Sequence, residues 1–124
     1  MKGTLLSDFF EIIYQEEQEN CLKTTVKINA QHRIFEGHFP NRPITPGVCI
    51  MQMTKEILMR KFNQPFQMSH GDTIKFMNPI DPRINEIVTF EVNYKEVENL
   101  FSVQTIVKHE LTIFCKFNAR YDFN

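Results

Sequence analysis

TPGVCIMQMTKEILMRKF, residues 45 to 62, is the stretch on which the fold turns. Pro46 and Gly47 break the chain ahead of a long run without breakers, so Gly47 to about Phe62 reads as a helix. Its first half, VCIMQM, is apolar nearly all round and must be buried on most sides. Its second half, TKEILMRK, is amphipathic, with Glu56 on the polar side. A helix of this kind needs a surface that wraps it.

The flanking segments supply one. Upstream, in CLKTTVKINA (21–30), Leu22, Thr24, Val26, Ile28 and Ala30 alternate with polar neighbours, the period of a half-buried strand. Downstream, DTIKFMNPI (72–80) reads as a strand closed by a turn at Pro79 to Pro82. Val88, Phe90, Val92 and Tyr94 then alternate, as do Phe101 to Val107, and Leu111, Ile113, Cys115, Phe117 and Ala119. Polar turns at 95–99 and 108–110 join these runs as hairpins. Near the start, Leu5, Leu6, Phe9, Phe10, Ile12 and Ile13 fall at helical spacing and predict a short amphipathic helix, with QEEQEN (15–20) as a turn. Between His32 and Pro46, Gly37, Pro40, Pro43 and Pro46 predict a stiff loop. The sum is an antiparallel meander with one buried helix inserted after the first strand. Its class is α+β, in the order of a hot-dog fold: a curved antiparallel sheet wrapped around a long central helix. With no repeat, low-complexity tract or linker, residues 1–124 are expected to form a single domain.

Composition narrows the function. A net charge of -1 gives no electrostatic reason to expect nucleic acid or an anionic membrane as partner. No run approaches a membrane span, and Asp8 and Glu11 interrupt what would have to be a signal-peptide core. Three cysteines, Cys21, Cys49 and Cys115, lack CxxC-type spacing, which argues against a disulfide framework or a zinc site and fits a reducing compartment. The protein is expected in the cytoplasm. His32, His70 and His109 read as loop or turn residues without metal-ligand spacing. Cys49, near a helix start but without a basic neighbour, reads as a small buried hydrophobe.

The chemistry concentrates in EGHFPNRPITPGVCIMQ, residues 36 to 52. A histidine, His38, sits in a proline-stiffened loop that leads to Gly47 at a helix start. The first N–H groups of a helix have no intrahelical acceptor and stand at the positive end of its dipole, a site for a carbonyl oxygen gaining negative charge. A glycine there admits close approach to the backbone. Base and oxyanion donors are thereby held relative to each other, as proton abstraction beside a thioester carbonyl requires.

This segment resembles the active-site motif of the 3-hydroxyacyl-acyl-carrier-protein dehydratases, in which HFP, a proline three residues on, and PGV before a helix recur. IKFMNPIDP (74–82) resembles the strand and turn that follow that family's helix. The resemblance implies His38 as the base and Gly47 as the backbone oxyanion donor. It also implies a homodimer, or a higher oligomer, with composite sites at the interface, and no metal or organic cofactor. The substrate would be carried on the phosphopantetheine of an acyl carrier protein. The family's helix carboxylate stands fourteen positions after the histidine, and here that position is Gln52.

Three readings of the departure follow. Gln52 orients the hydroxyl while His38 carries the proton; or Glu56, one turn on and at a position where relatives often carry Gln, substitutes; or dehydration is lost. The first is preferred, since the rest of the motif is intact. A 3-hydroxyacyl-ACP dehydratase-like hydro-lyase forming trans-2-enoyl thioesters is thus expected, serving fatty-acid or polyene-type lipid synthesis. A non-catalytic acyl- or carrier-binding homologue and a hot-dog thioesterase are the alternatives. Phe39, Pro46, Val48, Glu56 and Phe76 are the candidate substrate contacts, and Arg42 is the candidate contact to the carrier's acidic or phosphate surface. Phe35, Phe62 and Phe66 are read as core rather than as an acyl tunnel, and Met51, Met53, Met59 and Met68 leave the same choice open, since flexible methionine also suits an apolar chain.

Overall fold

The computed structural model describes residues 8–37, 43–71 and 74–123. Two antiparallel strands come first, β1 (Phe10–Gln18) and β2 (Cys21–Ile28), then a single helical turn, α1 (Ile34–Gly37), and the long helix α2 (Gly47–Phe62). Five strands follow: β3 (Phe66–Gly71), β4 (Lys75–Phe76), β5 (Ile87–Val97), β6 (Leu100–His109) and β7 (Thr112–Phe123). All seven form one sheet in the order β1-β2-β5-β6-β7-β3, with β4 beside β3 on the same edge of β7. Every pairing is antiparallel. This is the hot-dog architecture.

The helix forms where expected. Pro46 stands at its N-cap in an extended conformation, and Asn63 ends it in the left-handed region at φ 52°, a conformation that Asn tolerates better than most residues. Arg60 and Lys61 in the last turn oppose the negative end of the dipole. Ile50, Met53, Ile57 and Leu58 are wholly buried against Leu22, Val26, Val88, Phe90, Val92 and Val107 of the sheet. The alternation read in β2, β5 and β6 is the alternation of buried and exposed residues observed. In β7 it holds from Cys115 onward, but Leu111 lies in the turn and is 99% exposed.

The N-terminal segment corrects the sequence reading. Residues 1–7 lie outside the described residues, and Phe10 to Gln18 form a strand, not part of a helix. The cause is a bulge: Ile12 pairs with Val26 and Tyr14 with Thr25, so Ile13 is the extra residue. A bulge breaks the period of two and sets apolar residues side by side, which mimics helical spacing. Past it the strand presents Gln15 inward, and its amide donates to the buried Thr24 hydroxyl at 2.7 Å. The acidic stretch expected as a turn continues the strand to Gln18, and only Glu19 and Asn20, both at positive φ, make the hairpin turn. The central helix therefore follows the second strand.

Other boundaries shift too. Residues 66–71, not read as a strand, pair with β7. The strand expected over 72–80 shortens to Lys75–Phe76, with Asp72 and Thr73 outside the described residues. His70 lies in β3 and His109 ends β6 rather than lying in turns. His32 is a loop residue as expected: its ring stands edge-on to Phe9, and Nδ1 accepts from the Ile34 amide.

The end of α2 is tied to the sheet by a polar clasp over an aromatic cluster. Tyr94 donates to the Glu17 carboxylate, Lys61 reaches its other oxygen at 3.0 Å, and Phe62, Phe66 and Phe101 pack beneath. The Tyr94 hydrogen bond first, and Lys61 second, hold the Glu17 carboxyl below its ordinary range. A depressed carboxyl stabilises the fold above its unfolded pKa, and that contribution disappears as pH falls through the folded value. Glu17→Gln is expected to melt below the parent at neutral pH, with the gap closing at acid pH, once the folded carboxyl has taken up its proton. Thermal unfolding at both pH values checks this, and an equal gap at both would refute the clasp's ionic character.

Candidate active site

The elements above bring the segment ahead of α2 against β4. Ile44, Thr45, Pro46 and Gly47 form one wall of an open cavity of about 320 Å³, and Phe76, Met77, Asn78 and Pro79 form the other. The second wall is held in place by β7: the Met77 amide donates to the Phe114 carbonyl at 2.8 Å, and the Asn78 side chain to that of Ile113 at 3.0 Å. The first is anchored by the Thr45 amide, which donates to the Ile80 carbonyl at 2.9 Å.

Three residues singled out from the sequence, Pro46, Gly47 and Phe76, therefore meet at one cavity. The amides of Cys49 and Ile50 both turn back to the Pro46 carbonyl. Those of Gly47 and Val48 precede them and belong to the group that a helix leaves without intrahelical acceptors. The need for glycine has a further reason that the sequence does not show. A Cβ at position 47 would stand 3.2 Å from the Phe76 ring and 3.3 Å from Ile74, so the glycine lets these side chains seat on the helix start. Phe76 remains 53% exposed and walls the cavity rather than the core. Val48, by contrast, points away into solvent at 74% exposure.

Gln52 is half-buried and Glu56 is 4% exposed, and the two are joined directly: Gln52 Nε2 donates to Glu56 Oε2 at 2.8 Å. Glu56 is thus a buried group behind Gln52, not a solvated residue of the polar face. The reason is packing, since residue 56 falls between the buried Met53 and Ile57 turns of the helix. His38, Phe39 and Arg42 lie outside the described residues.

Among the wider candidates, Phe35 and Phe66 are buried core, and Phe62 belongs to the aromatic cluster. Burial pushes the Cys49 thiol up, the opposite of a reactive cysteine, in line with its reading as a small hydrophobe. No group of three or more His, Cys, Asp or Glu among the described residues is placed to hold a metal ion, and no helix there is long and apolar enough to cross a membrane. The sequence reading missed the Met77 to Pro79 wall. Its signal was the NP step after an apolar run, but only the pairing with β7 turns it toward the helix start.

The chain has relatives among known proteins. Residues 14–116 match the model of the ApeI-like dehydratases, described as ApeI dehydratase. The chain is similar to the 3-hydroxyacyl-[acyl-carrier-protein] dehydratase FabZ of Thermotoga neapolitana, at 33% identity over 107 residues, covering 82% of this chain and 76% of that one. It is also similar to FabZ of Fusobacterium nucleatum, at 27% identity over 95 residues, which are 73% of this chain and 66% of the relative. Among solved structures, the dehydratase heterocomplex ApeI:P from Xenorhabdus doucetiae superposes with a TM-score of 0.72 at 17% identity, covering 90% of this chain and 96% of that one. A protein of the thioesterase superfamily superposes with a TM-score of 0.63 at 11% identity, covering 93% and 84%. These two likenesses concern the fold.

Proposed function

The chain belongs to the ApeI-like dehydratase family, and on that premise we propose that it is a hydro-lyase converting 3-hydroxyacyl thioesters to trans-2-enoyl thioesters and water. The observation that carries this reading is the cavity at the start of α2, where Gly47 meets Phe76. A thioester carbonyl placed there would find backbone N–H groups and the positive helix end, which favour the charge that gathers on its oxygen when the neighbouring carbon loses a proton.

In this reading His38 removes the C2 proton and returns it to the C3 hydroxyl, which leaves as water while the C2–H electron pair becomes the double bond. Gln52 holds the hydroxyl by hydrogen bonding. An amide neither gives up nor takes a proton at useful pH, so His38 serves in both directions. Phe39, Pro46 and Phe76 contact the acyl thioester, and Arg42 faces the acidic or phosphate surface of an acyl carrier protein. The exposure of Val48 beside the site supports a homodimer in which a second subunit covers that face and completes the site. The reading includes no metal or organic cofactor and places the protein in the cytoplasm.

Mass spectrometry of 3-hydroxybutyryl- and 3-hydroxyoctanoyl-carrier protein incubated with the pure chain tests it. Loss of one water from either substrate is the expected result. Unchanged mass with both would refute dehydration, and release of the free acid would instead identify a thioesterase.

A further inference from the structure

Among the described residues, three buried hydroxyls have no hydrogen-bond partner: those of Thr45, Thr105 and Tyr121. Thr105 on β6 and Tyr121 on β7 are wholly buried in the core. Thr45 stands elsewhere. It is 2% exposed, lines the cavity at the start of α2 and comes two residues before Gly47. A buried polar group without a partner costs stability, so one kept in a cavity wall calls for a physical reason.

The backbone around Thr45 is already committed. Its amide donates to the Ile80 carbonyl at 2.9 Å, and Pro46 has no N–H to give. The Pro46 carbonyl takes the amides of Cys49 and Ile50 at 3.0 and 3.2 Å. At the N-cap itself a threonine hydroxyl would bond the amides of the first turn. One place earlier and followed by proline, Thr45 makes no such bond, and the helix start has no side-chain cap. The Thr45 hydroxyl and the first amides of α2 are therefore donors on one wall.

We propose that the Thr45 hydroxyl donates a hydrogen bond to the carbonyl oxygen of the acyl thioester, beside the backbone amides at the start of α2. This rests on the dehydratase reading and deepens it. As packed, Oγ1 has almost no open surface. A turn about Cα–Cβ to another staggered position re-aims it, while the bond to Ile80 holds the backbone. When C2 loses its proton, the C–H electron pair shifts negative charge onto the carbonyl oxygen, and the Thr45 O–H and the amides stabilise it there. The pair then forms the C2=C3 bond as the C3–O bond breaks, and the C2 proton ends in the departing water. Thr45 keeps its own proton throughout.

Thr45→Val keeps the outline of the side chain and removes the hydroxyl, whereas Thr45→Ser keeps the hydroxyl. A hydroxyl that makes no bond within the fold does not stabilise it, so Thr45→Val should melt at or above the parent temperature. Its kcat should fall roughly 10²- to 10³-fold, the scale for one donor to a carbonyl oxygen gaining charge, with KM changed far less. Thr45→Ser should keep most of the parent kcat.

A second measurement needs no turnover. Infrared spectra are taken of butyryl-pantetheine, isotopically labelled at its carbonyl carbon, bound to each protein; this ligand has no C3 hydroxyl to lose. A donated hydrogen bond lowers the carbonyl stretching frequency, so the band should lie lower in the parent and Thr45→Ser than in Thr45→Val. Parent kcat in Thr45→Val, an equal loss in Thr45→Ser, or one band position in all three proteins would overturn the proposal. So would a Thr45→Val that melts well below the parent, since the hydroxyl would then have its partner within the fold. If the parent dehydrates neither carrier-bound substrate, the dehydratase reading falls and the carbonyl band alone decides the role of Thr45. A band raised only in Thr45→Val then supports the hydrogen bond, and an unmoved one refutes it.

Discussion

His38→Ala is expected to reduce enoyl product formation by roughly 10²- to 10⁴-fold, the range for removal of a positioned acid–base group, while binding of the acyl carrier protein stays almost unchanged. The magnitude follows from the role of His38 in both directions. Gln52 cannot substitute for it, because an amide has no proton to exchange, and Glu56 lies buried behind Gln52. The measurement is the rate of water loss from 3-hydroxybutyryl-carrier protein beside a binding titration of the same carrier. Product forming at the parent rate would show the mechanism to be wrong. Loss of carrier binding together with activity would instead make His38 a structural residue of its loop.

The second large effect is on stability and compares one residue type at two places. Leu58 is wholly buried between α2 and the sheet, whereas Leu111 is 99% exposed in the turn between β6 and β7. Leu58→Ala removes buried methyl groups and leaves a cavity in a packed core, which costs about 2–5 kcal/mol. For a protein of this size that is a large part of the total stability and lowers Tm by roughly 10 °C or more. Leu111→Ala should change stability by less than about 0.5 kcal/mol. Denaturant unfolding of both variants decides the matter. Equal effects would contradict the placement of α2 as the central element of the core.

The sequence by itself determined the parts of this protein whose signal is local and periodic. The apolar wrap of VCIMQM required a buried helix, and the alternation in β2, β5 and β6 required strands with one covered face. Both follow from side-chain direction alone, so no knowledge of neighbours is needed. Residues 43–46, ahead of α2, carry no helix or strand, as prolines at 43 and 46 require, but Ile34–Gly37 form a helical turn within the stretch read as loop.

Only the tertiary structure decided the rest. The Ile12–Ile13 doublet became a bulged strand because β2 offered a partner, and pairing across a sheet outweighs a short helical pattern. Phe66 to Gly71 became a strand by docking on the far end of β7. Gly47 proved to be the seat of Phe76 and Ile74, residues distant in sequence that the edge of β7 carries to the helix start. Glu56, polar by type, was expected on the wet side of the helix. Its burial and its bond to Gln52 depend on what the sheet covers, and a helical period cannot show how far a covering sheet extends.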